Sequence, residues 1–307
     1  MSLDPQIAEL IEGLDAGFPP VHTMTGAQAR AVIRDRFVPP VVPEPVSEVR
    51  DAVVAGPEGD IPVRIYRPKG ERLPVLVYAH GGGFVFCDLD SHDGLCRSLA
   101  NHVPAVVVSV DYRLAPEHRW PAAADDVYAV TEAAAAGAFG GDPARVAVGG
   151  DSAGGNLAAV AALMARDRGG PAIAAQLLIY PVIAADFSTE SYRLFGRGYY
   201  NPRPAMEWYW DQYVPSRADR AHPYAAPLHA DLRDLPPAVV VVAGHDPLRD
   251  EARAYASALK SAEVPLTLLR FDGGIHGFMS MPMLDIAQDA RRRAGAALSA
   301  TLGSADV

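Results

Sequence analysis

The stretch VAVGGDSAGGNLAAVAALMARDR, residues 146–168, decides how the rest of the chain is read. Four residues suited to a buried strand run into Gly150-Asp151-Ser152-Ala153-Gly154, and an Ala/Leu-rich stretch follows. The five residues fit G-x-S-x-G, a pattern that carries chemical meaning only at a strand–turn–helix joint. Such a joint forces the serine into strained backbone geometry, so its neighbours must be small. The strain holds the hydroxyl at the carboxyl edge of a sheet, with a helix N-terminus beneath it. The same residues would also suit a plain serine helix cap in a Gly-rich turn. A nucleophile, unlike a cap, needs a base, an acid and oxyanion donors elsewhere in the chain.

Working outward, short apolar segments recur at 73–80, 105–112, 145–151, 174–181, 237–244 and 266–273. They are β-branched or Leu-rich and nearly continuous in apolarity, as strands buried on both faces of a parallel sheet must be. IPVRIYRP (61–68) instead alternates, which predicts a half-exposed antiparallel strand. Helical stretches lie between them at 120–137, 154–169, 248–262 and 283–302. Pro121 marks one helix start, and Gly137 and Gly169 mark two ends. This βαβα rhythm predicts a doubly wound sheet with helices on both faces. Residues 1–45 read as helix followed by the Pro-rich connector FVPPVVPEPV (37–46), and residues 183–232 form a long insertion rich in Tyr, Trp and Pro. An insertion of that length is expected to hold short helices rather than a structureless loop. The core is then expected in two parts, 46–182 and 233–307, with the two irregular segments forming a cap over the carboxyl ends of the strands. Within the insertion, Tyr199, Tyr200, Trp208, Trp210 and Tyr213 at near-helical spacing read as cap core rather than acyl contacts.

A serine hydroxyl is a poor nucleophile without a base, and the tetrahedral intermediate needs N–H donors. HGGGF (80–84) directly follows a predicted strand, and three consecutive glycines carry a backbone-entropy cost. That cost makes sense where N–H groups must approach a reacting oxygen, so Gly82 and Gly83 are the expected donors, with Ala153 as the third. His80 and Gly81 are expected to support that turn. After the strand at 237–244 comes HDPLRDE, which puts Asp246 at the catalytic edge. Asp250 and Glu251 fall in the next helix's first turn, where acids favour the dipole. After the last strand, GGIHGF puts His276 in a loop at the same edge. The order Ser152, Asp246, His276 is the one this strand–turn–helix arrangement requires. Phe84 and Phe278 flank the two loops and are expected to line the substrate pocket. Asp111, Arg113 and Glu117 could brace the loop beneath the oxyanion turn or form a solvated run of mixed charge. Asp151, beside the nucleophile, has no assigned chemistry beyond bonding nearby backbone.

With these motifs in place, the chain resembles the hormone-sensitive-lipase-like branch of the α/β-hydrolases, the bacterial family IV carboxylesterases. HGGGF, DYRLAPEHRWPAAADD (111–126), GDSAGGNLA, DPLRDE and IHGF carry the resemblance, which spans roughly residues 50–302. It implies an α/β-hydrolase fold: a mostly parallel eight-stranded sheet with helices on both faces and a helical cap. It also implies a Ser152-Asp246-His276 triad, an oxyanion hole of Gly82, Gly83 and Ala153, and hydrolysis of short- to medium-chain acyl esters. Some members dimerise through the last strand and its neighbouring helix, so the resemblance leaves a homodimer open. Cys87 stands in GGGFVFCDLDSHD, where relatives more often carry glycine, and sensitivity to thiol reagents by steric blockade is one expectation for it.

Composition narrows the alternatives. Half of the 307 residues are apolar or aromatic, enough for a large core, and a net charge of −10 argues against nucleic acid or an anionic membrane as partner. The N-terminus has no basic and apolar leader pattern, and no apolar run spans a bilayer, so a cytoplasmic protein without stable membrane insertion is expected. Two cysteines exclude a disulfide framework, and no Cys/His spacing suggests a metal. Neither metal nor cofactor is expected, and the substrate is a small acyl ester. An amidase, deacetylase or acyltransferase would share the attacking chemistry. A non-catalytic small-ligand receptor on the same fold would be expected to have lost a triad member.

Overall fold

The computed structural model describes residues 2–39 and 42–303. The segment limits drawn above also take in residues 1, 40, 41 and 304–307, which lie outside the described residues. Eight strands form one sheet in the order β1-β2-β4-β3-β5-β6-β7-β8. They are β1 (Glu48–Gly56), β2 (Gly59–Arg67), β3 (Val75–Ala79), β4 (Val106–Val110), β5 (Val146–Asp151), β6 (Ala175–Ile179), β7 (Ala238–His245) and β8 (Leu266–Ile275). Only β2 runs antiparallel to its neighbours β1 and β4, and the pairs from β4 to β8 are parallel. The central strands are buried end to end, which is why they read as continuous apolar runs. β1 escaped the sequence reading because most of its residues are exposed at the sheet edge and show no apolar period. Its pairing with β2 turns tightly at Gly56–Gly59.

Helices α4 (Ala122–Ala135), α5 (Ala153–Asp167) and α8 (Arg249–Ser261) pack on one face; α3 (Asp93–His102) and α9 (Asp285–Leu302) pack on the other. Alternate residues of one strand feed the two cores, Val75 and Val77 into the first and Leu76 and Tyr78 into the second. Every residue of α5 from Ala153 to Ala165 is buried, so its Ala-rich composition reflects close packing on all sides rather than an amphipathic face. α3 was also missed, because its core-facing Leu95, Cys96, Leu99 and Ala100 are interleaved with polar residues.

The two irregular segments hold α1 (Pro5–Gly17), α2 (Gly26–Arg36), α6 (Glu190–Phe195) and α7 (Arg203–Tyr213). Asp4 caps α1, and Thr25 and Gln28 form a reciprocal capping box on α2. The segments meet each other: Tyr200 donates its N–H to Asp15, and its ring stands edge-on to Phe18. Both also touch loops at the carboxyl ends of the strands. Arg30 reaches the loop after β3, and the Tyr209 ring lies over Gly83. Among the described residues, no helix is long and apolar enough to cross a membrane.

Candidate active site

Ser152 sits between β5 and α5 with φ 55° and ψ −117°, a conformation that L-residues avoid. The flanking glycines make the turn possible. A Cβ on Gly154 would lie 1.9 Å from the Ala79 carbonyl oxygen, and one on Gly150 would lie 2.3 Å from Gly154 backbone. The start of α5 therefore presses directly on the end of β3. The serine side chain does not cap the helix. Its Oγ instead lies 2.9 Å from His276 Nε2.

Register brings the other two groups alongside. His245 at the end of β7 pairs with Ile275 at the end of β8, so the next residue of each strand, Asp246 and His276, emerges beside the other. His276 Nδ1 is 2.8 Å from Asp246 Oδ2, and the second carboxylate oxygen accepts the Leu248 N–H at 2.8 Å. Asp246 is fully buried, and Ser152 and His276 keep only a sliver of exposure. An ionised carboxylate only accepts, so Nδ1 carries the imidazole proton and Nε2 presents a lone pair to the serine hydroxyl. His245, the nearer histidine in sequence, instead stacks on Tyr199.

Three peptide groups complete the arrangement. A trans peptide points its C=O and N–H in opposite directions, so fixing the carbonyl fixes the N–H. The Gly81 carbonyl accepts from His80 Nδ1 at 2.7 Å, which sets the Gly82 N–H. The Gly82 carbonyl accepts from Val85 and Phe86 N–H at 3.0 and 3.1 Å, which sets that of Gly83. The Ser152 carbonyl accepts from Asn156 and Val182 N–H at 3.2 and 3.0 Å, which sets that of Ala153. None of these three N–H groups donates to a protein acceptor among the described residues. Gly82 has φ +113°, and a Cβ there would fall 2.1 Å from the Phe86 carbonyl oxygen, so no other residue type fits.

A family profile described as alpha/beta hydrolase fold matches residues 76–280, two thirds of the chain and the whole path from β3 through His276. The chain belongs to the alpha/beta hydrolase fold family. It is an enzyme, a hydrolase. The carboxylesterase NlhH of Mycobacterium tuberculosis is 41% identical over 314 residues, covering 98% of this chain and 96% of that one. The carboxylic ester hydrolase LipN of the same organism is 46% identical over 244 residues, covering 76% of this chain and 65% of LipN. Among solved structures, a hyperthermophilic esterase from the archaeon Pyrobaculum calidifontis superposes with a TM-score of 0.90 at 40% identity, covering 99% and 100% of the two chains.

Within this alpha/beta hydrolase, Asp151 ties the Ser152 turn to the glycine loop. Its buried Oδ1 accepts from Tyr78 OH at 2.7 Å and from the Gly81 N–H at 3.0 Å, with His92 Nε2 at 3.3 Å. Gly81 is thereby occupied as a donor, and a Cβ on it would strike Asp151 Oδ2 at 2.5 Å. Burial alone would raise the Asp151 carboxyl, but the His92 charge and the hydrogen bonds from His92 and Tyr78 outweigh it and hold it below the ordinary range. Burial, with His92 nearby, lowers His80 to about 4, which leaves it neutral and stacked on Tyr112. Tyr78 and His92 had no local signal in the sequence; they lie 73 and 59 residues from Asp151.

Other expected residues are placed differently. Asp111, Arg113 and Glu117 do not form one network. Arg113 forks onto buried Asp126 and pairs with Glu58. Glu117 pairs with Arg30 of α2. Asp111 stands on a groove wall, where burial and the neighbouring Asp88 and Asp90 carboxylates raise its carboxyl. Extended and turning backbone sends the three side chains different ways. Phe84 and Phe278 are core residues, not pocket walls. Phe84, at φ +64°, turns its ring flat against Tyr213 at 3.9 Å, and Phe278 packs between Tyr180 and Phe271. Both rings are closed off from solvent. Trp210 and Tyr213 are fully buried and Trp208 nearly so, while Tyr199 and Tyr200 are only partly covered. A groove of about 1060 Å³ runs between α2 and the loops 87–91 and 111–118, with Arg30, Ile33, Cys87, Asp111 and Tyr200 in its walls. Tyr200 also approaches Gly277, next to His276, at 3.8 Å from where its Cβ would be.

Proposed function

We propose that this hydrolase is a carboxylesterase of the hormone-sensitive-lipase-like branch, acting on short- to medium-chain acyl esters through Ser152, His276 and Asp246. The observation that carries the reading is the continuous hydrogen-bonded chain from Asp246 through His276 to Ser152, beside three N–H groups with pinned carbonyls. His276 Nε2 takes the hydroxyl proton as Ser152 Oγ attacks the ester carbonyl carbon. Negative charge then gathers on the carbonyl oxygen, where the Gly82, Gly83 and Ala153 N–H groups stabilise it without reorganising. Asp246 holds the tautomer and stabilises the imidazolium. The imidazolium returns the proton to the departing alkoxide, leaving an acyl group on Ser152. Water, deprotonated by the same imidazole, attacks the acyl carbon and releases the acid. Turnover is therefore expected to fall on acidification, because imidazolium cannot act as base.

The size preference rests on access. The reacting atoms are nearly buried, and a groove that shares Cys87 and Tyr200 with the neighbourhoods of Gly82 and Gly277 mixes arginine and aspartate with apolar wall. A long acyl chain would have to lie against those charges. The relatives' names, carboxylesterase and carboxylic ester hydrolase, support ester hydrolysis itself. The test is hydrolysis of p-nitrophenyl esters from acetate to palmitate, with Ser152→Ala in parallel. Expected is a maximum at short or medium chains and a loss of about 10⁴-fold or more in the variant. Equal rates in wild type and variant would overturn the reading.

A further inference from the structure

Arg30 lies in the middle of α2, far from the triad in sequence, yet it grips the loop that carries the glycines. Its Nη1 donates to the Val85 carbonyl at 2.9 Å and to the Ala115 carbonyl at 3.0 Å, and its other terminal nitrogen pairs with Glu117. One turn earlier, Gly26 sits so close to Pro116 that a Cβ would meet the ring at 2.4 Å, so the helix is held in one register on this loop. Ala115 in turn donates its N–H to the Phe84 carbonyl at 2.9 Å.

The Val85 carbonyl belongs to the peptide whose N–H is that of Phe86, and this N–H donates to the Gly82 carbonyl at 3.1 Å. The Gly82 carbonyl belongs to the peptide whose N–H is that of Gly83. Because each trans peptide points its two ends in opposite directions, the links align head to tail. A guanidinium cation stands at one end of this two-peptide relay, and the Gly83 N–H stands at the other.

We infer that Arg30 is a positioning residue for the oxyanion site: it fixes the glycine loop and polarises the Gly83 N–H through two peptide groups. The inference deepens the esterase reading and rests on it. Hydrogen bonds in series strengthen one another by about 10–30% each, and a cation at the head of the series adds to this in dry surroundings. Such an effect matters most when the carbonyl oxygen carries full negative charge, so it acts on the transition state and not on the bound ester. It also gives α2 a role beyond covering the site.

The experiment compares Arg30→Gln and Arg30→Lys with Arg34→Gln. Arg34 lies one turn further along the same helix and makes only an exposed 3.6 Å ion pair with Asp88. Active sites are counted with a fluorophosphonate, so that kcat is expressed per competent serine. Arg30→Gln is expected to lower kcat about tenfold with KM within about twofold, and to weaken a trifluoromethyl ketone inhibitor by the same factor as kcat/KM. Arg30→Lys keeps the charge but not the fork, so about threefold is expected; it carries the test if the glutamine variant does not fold. Arg34→Gln should keep wild-type kcat per titrated site, with any change confined to KM because its side chain lines the groove. Wild-type kcat per titrated site in either Arg30 variant, or an equal loss in Arg34→Gln, would overturn the inference. Failure of the esterase reading would show separately, as turnover that survives Ser152→Ala.

Discussion

Replacing Asp151 by Asn and by Ala separates the carboxylate's charge from its hydrogen-bonding role. Asn keeps the volume and one oxygen for Tyr78 OH and the Gly81 N–H, which now bond at 2.7 and 3.0 Å. A hydrogen bond to a charged partner contributes about 1.5–3 kcal/mol and a neutral one about 1, so two bonds lose about 1–4 kcal/mol. Not having to bury a charge offsets part of this, leaving about 1–2 kcal/mol of net destabilisation. Ala instead strands both donors in a dry site at about 1–3 kcal/mol each, for about 4 kcal/mol in all. At about 2 °C per kcal/mol for a chain of this size, Asn should melt about 3 °C and Ala about 8 °C below wild type at pH 7. The gap carries a pH signature. The native carboxyl is lowered, so its stabilisation is complete above the ordinary aspartate value of about 3.9 and is lost as pH falls through the lowered value. Calorimetric melts from pH 7 down to 3 should therefore show the wild-type advantage over Asn narrowing below about pH 4. Since Asp151 also holds Gly81, kcat should fall in both variants, further in Ala. If Asn and Ala melt together with wild type at pH 7, the carboxylate does not brace the site and the reasoning fails.

Three more predictions concern the surroundings. Gly83→Ala adds a Cβ at φ +59° and 2.5 Å from the Tyr209 ring, so kcat should drop about 10²-fold, with partial recovery in a Tyr209→Ala background; wild-type kcat in the single variant would contradict the assigned donor. Asp126→Ala should destabilise by about 3 kcal/mol, the low end for a buried pair because Arg113 keeps Glu58, with kcat per titrated site unchanged, as denaturant melts and serine titration would show. Cys87 lines the groove, but desolvation pushes its thiol up to about 12, so iodoacetamide at pH 7.5 should leave turnover untouched, contrary to the expectation from sequence; rapid inactivation would show a reactive thiolate.

What was legible in the sequence had a local signature. Ser152 lies between a β-branched run and a helix, Asp246 and His276 each follow a strand, and the glycines at 82 and 83 satisfy steric demands visible in their clustering. What escaped depends on contacts between distant segments. Arg30 reads as one of several arginines on a polar helix, and only the folded chain brings it 55 residues along to Val85. His92 and Tyr78 are similarly mute until the sheet places them around Asp151. Phe84 shows the opposite error: adjacency to a catalytic loop says where the backbone is, whereas a positive φ decides where the ring goes. β1 was hidden because most of its residues are exposed, so too few apolar positions remain to mark an alternation.

The union of Ser152 with His276 spans 124 residues of chain. At about 5–20 residues per second on the ribosome, Ser152 emerges roughly 6 to 25 seconds before His276. On the esterase reading, the proposed nucleophile has no partner to take its proton through that interval. The segment leading into α1 waits as well, since Asp4 donates its N–H to Gly273 at 3.0 Å, on the last of the eight strands to be made. The proposed site is therefore completed late, when β8 joins the sheet and α1 and α9 pack on it.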